Sequence, residues 1–306
     1  MSDTPDLGPV PERIDVDVEQ ARRLVAEQFP QWVDLRIEPV ANGGWDNRTF
    51  HLGDDMVLRL PSAAEYAQAV EKEHRWLPVL APLLPLPIPA PLAQGTPGAG
   101  YPHTWSVYRW LDGVTARTDR ITDPIRFADD LASFVAALQD VAATDGPAPG
   151  IHNWFRGGPL RTFDRDTQRA LEVLGDHVDV ELAGEIWANS LAADWDGVPH
   201  WFHGDVAAGN LLLVDGQLAG VIDFGTCGVG DPACDLAVAW TLLSTAGRHV
   251  FRQRLAVDEA TWARGRGWAL WKALATCSYT YEDPADADDF AQSRRVLDEI
   301  FAEYST

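Results

Sequence analysis

The stretch His203-Gly204-Asp205, followed by Asn210 and then by Asp223-Phe224-Gly225, constrains this chain more than any other. Apolar Trp201 and Phe202 lead into it. Leu211–Val214 and Leu218–Asp223 read as two strands joined by Asp215-Gly216, a favoured hairpin turn. Asp205, Asn210 and Asp223 therefore fall on adjacent loops. One carboxylate to orient a hydroxyl, with an amide oxygen and a second carboxylate to hold magnesium, is the set that phosphoryl transfer needs. A lone aspartate is usually a turn residue or a cap, so order and spacing together carry this reading. His203 reads as a brace that bonds the loop backbone; direct acid–base work is the alternative. A serine hydrolase lacks its Gly-x-Ser-x-Gly elbow here. A metal hydrolase lacks a second close histidine motif.

The formal net charge of −22 argues against nucleic acid as a partner, because polyphosphate is repelled. The chain has 306 residues, enough for two lobes or one large domain, and 46% hydrophobic content is ample for a core. Cys227, Cys234 and Cys277 show neither zinc-like pairing nor a disulfide framework. No apolar run reaches membrane-spanning length, since prolines break Leu77–Leu92. No basic-then-apolar signal opens the sequence. A cytoplasmic protein without membrane contact is expected, as a monomer or a homodimer.

The first third reads as β-rich. Residues 1–15 suggest a flexible leader, and apolar spacing from Asp17 to Phe29 predicts a helix. Strands are expected over Leu35–Val40, Arg48–Leu52, Met56–Leu60 and Thr104–Leu111. Alternation places Val57 and Arg59 on one strand face, with Met56, Leu58 and Leu60 on the other. Between the first two strands, Asn42-Gly43-Gly44-Trp45-Asp46-Asn47 has the glycines for close approach to phosphate, though a plain hairpin turn uses the same residues. A helix follows over Ala63–Leu80, carrying Glu71 and Glu73 as candidates to pair with Arg59. Prolines at 82, 85, 87, 89 and 91 make a rigid connector. Asp112-Gly113 breaks the Thr104 strand, a natural hinge where the backbones of Arg109 and Leu111 are free to meet a purine.

The remainder is mainly helical, with helices expected over Pro124–Ala143, 161–175, 179–193, 232–245, 247–256, 258–280 and 286–304. Asn153–Leu160 reads as a polar and aromatic loop that either lines a substrate cleft or caps the core. Asp231 before Pro232 signals a helix N-cap. Asp235, one turn later, is placed to accept backbone bonds from the catalytic loop.

These residues resemble the aminoglycoside phosphotransferase family, small-molecule kinases with a protein-kinase-like fold. The match carries His203-Gly204-Asp205 with Asn210, Ile222-Asp223-Phe224-Gly225, and Gly230-Asp231-Pro232 with Asp235-Leu236. It reaches back through Trp105–Gly113 to Val57–Pro61. The resemblance implies an α+β, bilobal fold: a small β-rich lobe over residues 1–111 with leader and hinge, and a larger helical lobe over 112–306. It implies ATP as donor, with GTP open, and Mg2+. Asp205 takes the catalytic position and Asn210 and Asp223 the metal positions. Asn42, Gly43, Gly44 and Asn47 match the nucleotide-covering loop. Arg59 and Glu73 match the strand cation and its helix partner, and Arg109 and Leu111 the hinge. His203 and Asp235 are support.

Arg59 stands where such kinases commonly carry lysine. Lys72 and Lys272, the only lysines, fall on expected helices and are poor substitutes. Val206-Ala207-Ala208-Gly209 also lacks the residues often found in the family's catalytic loop. The expected activity is phosphorylation of a small hydroxylated molecule, with an aminoglycoside and antibiotic resistance in view. Glu282 and Asp283, with Asp286, Asp288 and Asp289, suit a cationic substrate; a solvated face is the plainer reading. Alternatives are a metabolic or macrolide-type kinase, or a nucleotide-binding pseudokinase.

Overall fold

The computed structural model describes residues 11–41, 44–281 and 287–305. Its strands are β1 (Ile37–Pro39), β2 (Asn47–Leu52), β3 (Met56–Pro61), β4 (Pro91–Gly95), β5 (Trp105–Arg109), β6 (Val114–Thr115), β7 (His200–Phe202), β8 (Leu211–Val214), β9 (Gln217–Val221) and β10 (Gly228–Gly230). Its helices are α1 (Val18–Gln28), α2 (Ala64–Leu80), α3 (Pro124–Gln139), α4 (Asp164–Leu174), α5 (Val180–Ala192), α6 (Val238–Thr241), α7 (Thr245–Leu255), α8 (Glu259–Thr280) and α9 (Ala287–Tyr304). The α+β, two-lobed architecture matches expectation: a small antiparallel sheet in the first third, then a mainly helical body.

The sheet has the order β1-β2-β3-β5-β4, and every pairing in it is antiparallel. Strand alternation gives it two distinct faces. Leu58 and Leu60 join Phe50, Leu52 and Val107 in a core under Leu24 and Val25 of α1. Val57 and Tyr108 point the other way, into the main core of the helical body. Arg59 shares that face and so looks toward the cleft. Asp17 caps α1 by accepting from the Gln20 amide.

Three expectations need correction. The flexible leader expected over residues 1–15 is tied down at its described end, where the Ile14 amide bonds the Ser62 carbonyl just before the buried Val16. The helix expected over 232–245 is a 3-10 turn, Pro232–Ala237, followed by the short α6. There Asp231 accepts from the Ala233 amide, and the tighter turn carries Asp235 toward the catalytic loop. The strand expected to run to Asp223 stops at Val221. Asp223 adopts φ 66° in the left-handed region, which ends the strand and re-aims its carboxylate. The Asp215-Gly216 turn has positive φ at both residues, as a tight hairpin of this twist requires.

Candidate active site

The His203-Gly204-Asp205 stretch enters on β7, which pairs antiparallel with β10. Gly204 follows at φ 86°, where a Cβ would come within 2.6 Å of the Thr226 carbonyl. Only glycine fits that approach. The Asp235 carboxylate receives the backbone N–H groups of His203 and Gly204, each at 2.7 Å. Burial raises the Asp235 pKa, against the pull of His203 and those two amides. The His203 ring bonds the Ile222 carbonyl at 3.0 Å, and its Nδ1 receives the Asp205 amide at 3.2 Å. The imidazole thus ties the Asp205 loop to the segment that carries Asp223, which is bracing geometry.

Asp205 is half-buried. Its Oδ2 and its backbone carbonyl accept from Asn210 Nδ2, at 3.0 and 2.9 Å. Its Oδ1 accepts from Lys272 Nζ at 2.6 Å. Burial pushes the carboxyl pKa up, but the ammonium of Lys272, its hydrogen bond and the Arg156 charge outweigh that and hold it at about 2. A carboxylate has about four acceptor positions, and the bonds from Asn210 and Lys272 leave about two of them for an incoming hydroxyl.

Hairpin pairing sets Asn210 beside Asp223. The Ile222 amide bonds the Asn210 carbonyl at 2.8 Å, so their side chains leave from neighbouring positions. Asn210 spends its amide nitrogen on Asp205, which leaves the amide oxygen without a partner among the described residues. Asp223 Oδ1 accepts from Arg59, and Oδ2 has no partner among the described residues. Two open oxygens at adjacent positions suit magnesium, which takes few protein ligands. No cluster of three or more His, Cys, Asp or Glu side chains placed for a metal occurs among the described residues.

Arg59 straddles the cleft, 2.7 Å from Asp223 Oδ1 and 3.3 Å from Glu73 Oε1. Burial opposes its charge, but Asp223 and Glu73 outweigh that and raise its pKa. Glu73 is fixed in turn by the Tyr108 hydroxyl at 2.6 Å. The cleft around these groups spans about 450 Å³, part of it open to solvent, and Asn47 and Asp46 also line it. Burial and the nearby Asp223 push the Asp46 carboxyl up to about 7, against the pull of Arg59.

The covering loop is only partly in view. Asn42 and Gly43 lie outside the described residues, as do Glu282 and Asp283. Gly44 is exposed, and Asn47 opens β2 opposite Pro61. At the hinge one expectation is corrected: the Arg109 amide is not free, because it bonds the Ala90 carbonyl at 2.9 Å. Pro91 begins the neighbouring strand and brings that carbonyl into reach. The Trp110 amide is likewise bound to Asp55. Leu111 has no backbone partner among the described residues.

Both lysines reach the site from helices, which sequence reasoning missed. Lys72 on α2 donates to the carbonyls of Gly225 at 2.6 Å and Cys227 at 3.1 Å, clamping the segment after Asp223. Burial lowers its pKa. Lys272 lies on α8, on the same face as Trp268 and Trp271 at helical spacing. Arg156, from the loop whose role was open, comes in opposite them. Gly157 holds that loop at φ 72°, where a Cβ would meet the Phe202 ring at 2.0 Å. The signal available was composition: in a chain that uses arginine nearly everywhere, two lysines mark positions that take a compact ammonium.

Comparison with known proteins shows the family and the fold. Residues 36–268 match the family described as phosphotransferase enzyme family. An Escherichia coli aminoglycoside 3'-phosphotransferase is 49% identical over 124 residues, 38% of this chain and 42% of that protein. The match thus spans less than half the length of that curated relative. The GDP complex of wild-type aminoglycoside 2'-phosphotransferase-IIIa superposes with TM-score 0.69 at 17% identity, covering 94% of this chain and 100% of that one. The macrolide 2'-phosphotransferase of Brachybacterium faecium gives TM-score 0.57 at 22% identity, covering 92% and 97%. With more than two thirds of its residues inside the matched segment, this chain belongs to the phosphotransferase enzyme family.

Proposed function

We propose that the protein transfers the γ-phosphoryl group of ATP to a hydroxyl of a small molecule. The observation that carries this is the linkage of Asp205 to Asn210, of Asn210 to the Ile222-Asp223 segment and of Asp223 to Arg59, with partners that fix each orientation. The acceptor oxygen forms the new bond to phosphorus and the bond to the β-phosphate oxygen breaks. The nucleoside diphosphate leaves with the electron pair, and the hydroxyl proton passes to Asp205 and on to water. With its pKa held near 2, Asp205 is a weak base. Its contribution is alignment of the hydroxyl, with proton uptake late, as suits a loose transition state.

Asn210 and Asp223 hold Mg2+ in this reading, and the ion supplies charge neutralisation for the phosphates. Arg59 turns from Asp223 toward the phosphates as nucleotide enters, while Glu73 keeps its other nitrogen in place. The Leu111 backbone, rather than the Arg109 amide, is the hinge group open to a purine. ATP is the proposed donor, and the GDP-bound relative keeps GTP as the competitor to test. The relatives' names put aminoglycosides and macrolides among candidate acceptors.

Coupled nucleotide consumption against a panel of hydroxylated compounds tests the reading. Turnover that vanishes in Asp205→Ala supports it. Tight Mg-nucleotide binding with no acceptor phosphorylated favours the pseudokinase alternative, for which Arg59 in the lysine position is the motive.

A further inference from the structure

A second cavity, of about 340 Å³ including space open to solvent, opens on Asp205, with Arg156, Cys234, Trp268, Trp271 and Lys272 among its walls. Its electrostatics are unusual for a site that is to receive a polycation. Asp205 is the one carboxylate among its described walls, and Lys272 already neutralises it. Arg156 is then a cation in excess.

Arg156 is also unsatisfied. The other arginines buried in the helical body each hold a carboxylate: Arg248 holds Glu299, Arg264 holds Asp231 and Arg266 holds Glu303. The Arg156 guanidinium makes no hydrogen bond or ion pair among the described residues, and its Nη1 is shut off from solvent. It is held instead by aromatic faces, with Cζ 4.7 Å from the Trp271 ring centre and 5.6 Å from that of Trp268. That packing fixes the fork in direction without using its donors. The indole N–H of Trp268, a residue only 3% exposed, likewise has no acceptor. Trp271 differs, since its N–H is bound to Asp166 at 3.1 Å. Two buried donors without acceptors thus belong to residues that line one cavity, beside the proposed hydroxyl-orienting residue, and buried donors of this kind suit an oxygen-rich ligand.

From these groups we infer that the acceptor carries a carboxylate or a like anionic oxygen group, bound by Arg156 and the Trp268 N–H while its hydroxyl meets Asp205. The substrate class is a small hydroxy acid or sugar acid, with the Trp268 and Trp271 rings to cover its apolar face. Only the placement of the hydroxyl rests on the phosphotransfer reading. The anion subsite stands on the orphaned donors and the charge balance of the cavity.

The test has two arms. In the first, acetate, D-glucuronate, D-glucose and D-glucosamine are titrated calorimetrically into the protein at constant ionic strength. The expected result is saturable binding of the two carboxylates and none of the amine. Arg156→Met weakens carboxylate binding about 10- to 100-fold, the range of a hydrogen bond to a charged group. Trp268→Phe weakens it by a smaller factor and keeps the inference testable if the Arg156 variant does not fold. Absence of saturable carboxylate binding, or binding indifferent to both changes, overturns it. In the second arm, nucleotide consumption is followed with the three sugars and with kanamycin. Preference for the cationic acceptors overturns the inference while leaving phosphotransfer intact. Arg156-dependent carboxylate binding with no transfer to any acceptor upholds the anion subsite and removes the phosphotransfer reading.

Discussion

Lys272 Nζ lies 2.6 Å from Asp205 Oδ1, so an ammonium from α8 sits on the carboxylate proposed to meet the acceptor. The contact has a kinetic signature. Asp205 is held near 2, below the ordinary aspartate value of about 3.9, and is ionised at all higher pH. Lys272→Met removes the charge that opposes burial, so the Asp205 pKa rises. The acid limb of the kcat/KM profile should move to higher pH, and the neutral-pH rate should fall about 10²-fold from lost alignment. A pH–rate series on both proteins measures this, and an unmoved acid limb removes Lys272 from the mechanism.

Arg59 bonds Glu73 and Asp223 at once with different nitrogens, which one ammonium does less well. Arg59→Ala should weaken Mg-nucleotide binding about 10- to 100-fold, as expected for a lost charge-assisted contact. Arg59→Lys should fall between the two. Calorimetric Kd values order the three proteins, and equal affinities contradict the proposed phosphate role.

The Asp231–Arg264 pair is a stability element. It is bidentate, at 2.7 and 3.2 Å, and both side chains are only 7% exposed. Arg264 also reaches the Asp194 carbonyl. Arg264→Met strands a buried carboxylate and should cost about 3–5 kcal/mol. A urea melt reports it; a loss below about 1 kcal/mol would mean that Asp231 finds other partners.

Acid should loosen α9 from α8 and α6. Glu303 accepts from Arg266 at 2.8 Å, Trp262 Nε1 at 2.8 Å and Trp240 Nε1 at 3.2 Å. Burial raises its pKa, but these bonds and the Arg266 charge prevail and lower it. A depressed carboxylate stabilises the fold fully above its unfolded pKa of about 4.3, and the stabilisation is lost as pH falls through the lower folded value. Melting temperature should therefore drop below about pH 4.3. Glu303→Gln should flatten that drop and cost about 1–3 kcal/mol at neutral pH. Parallel pH–melting curves for the two proteins compare the slopes.

Much of this was legible before any coordinates. Alternation in Met56–Leu60 correctly separated Leu58 and Leu60 from Val57 and Arg59, because a strand's side-chain period is two. The interval from Asp205 through the hairpin to Asp223 placed three polar groups together, because hairpin pairing follows from local turn chemistry. Contacts between distant elements were not legible. Nothing near Lys272 in sequence indicates that α8 packs beside the Asp205 loop. Arg156 depends on Gly157 and on rings about a hundred residues away. The Arg109 amide was misread because its partner, Ala90, is supplied by tertiary pairing of β4 with β5. The helix expected at 232–245 yielded to the demands of Asp235, which binds two amides that local propensity does not register.

Both lysines of this chain lie beside the candidate site: Lys72 beneath the Gly225–Cys227 segment and Lys272 on Asp205. Apart from histidine, every other basic side chain is a guanidinium. An amine-directed acylating reagent therefore meets no decoy lysine. The Lys272 side chain is 43% exposed and Lys72 is buried, so the two differ in access. The fraction of Lys272 acylated at short times becomes a direct reading of whether the cavity beside Asp205 is filled. Coupling chemistry that relies on lysine will seize the molecule at its candidate site.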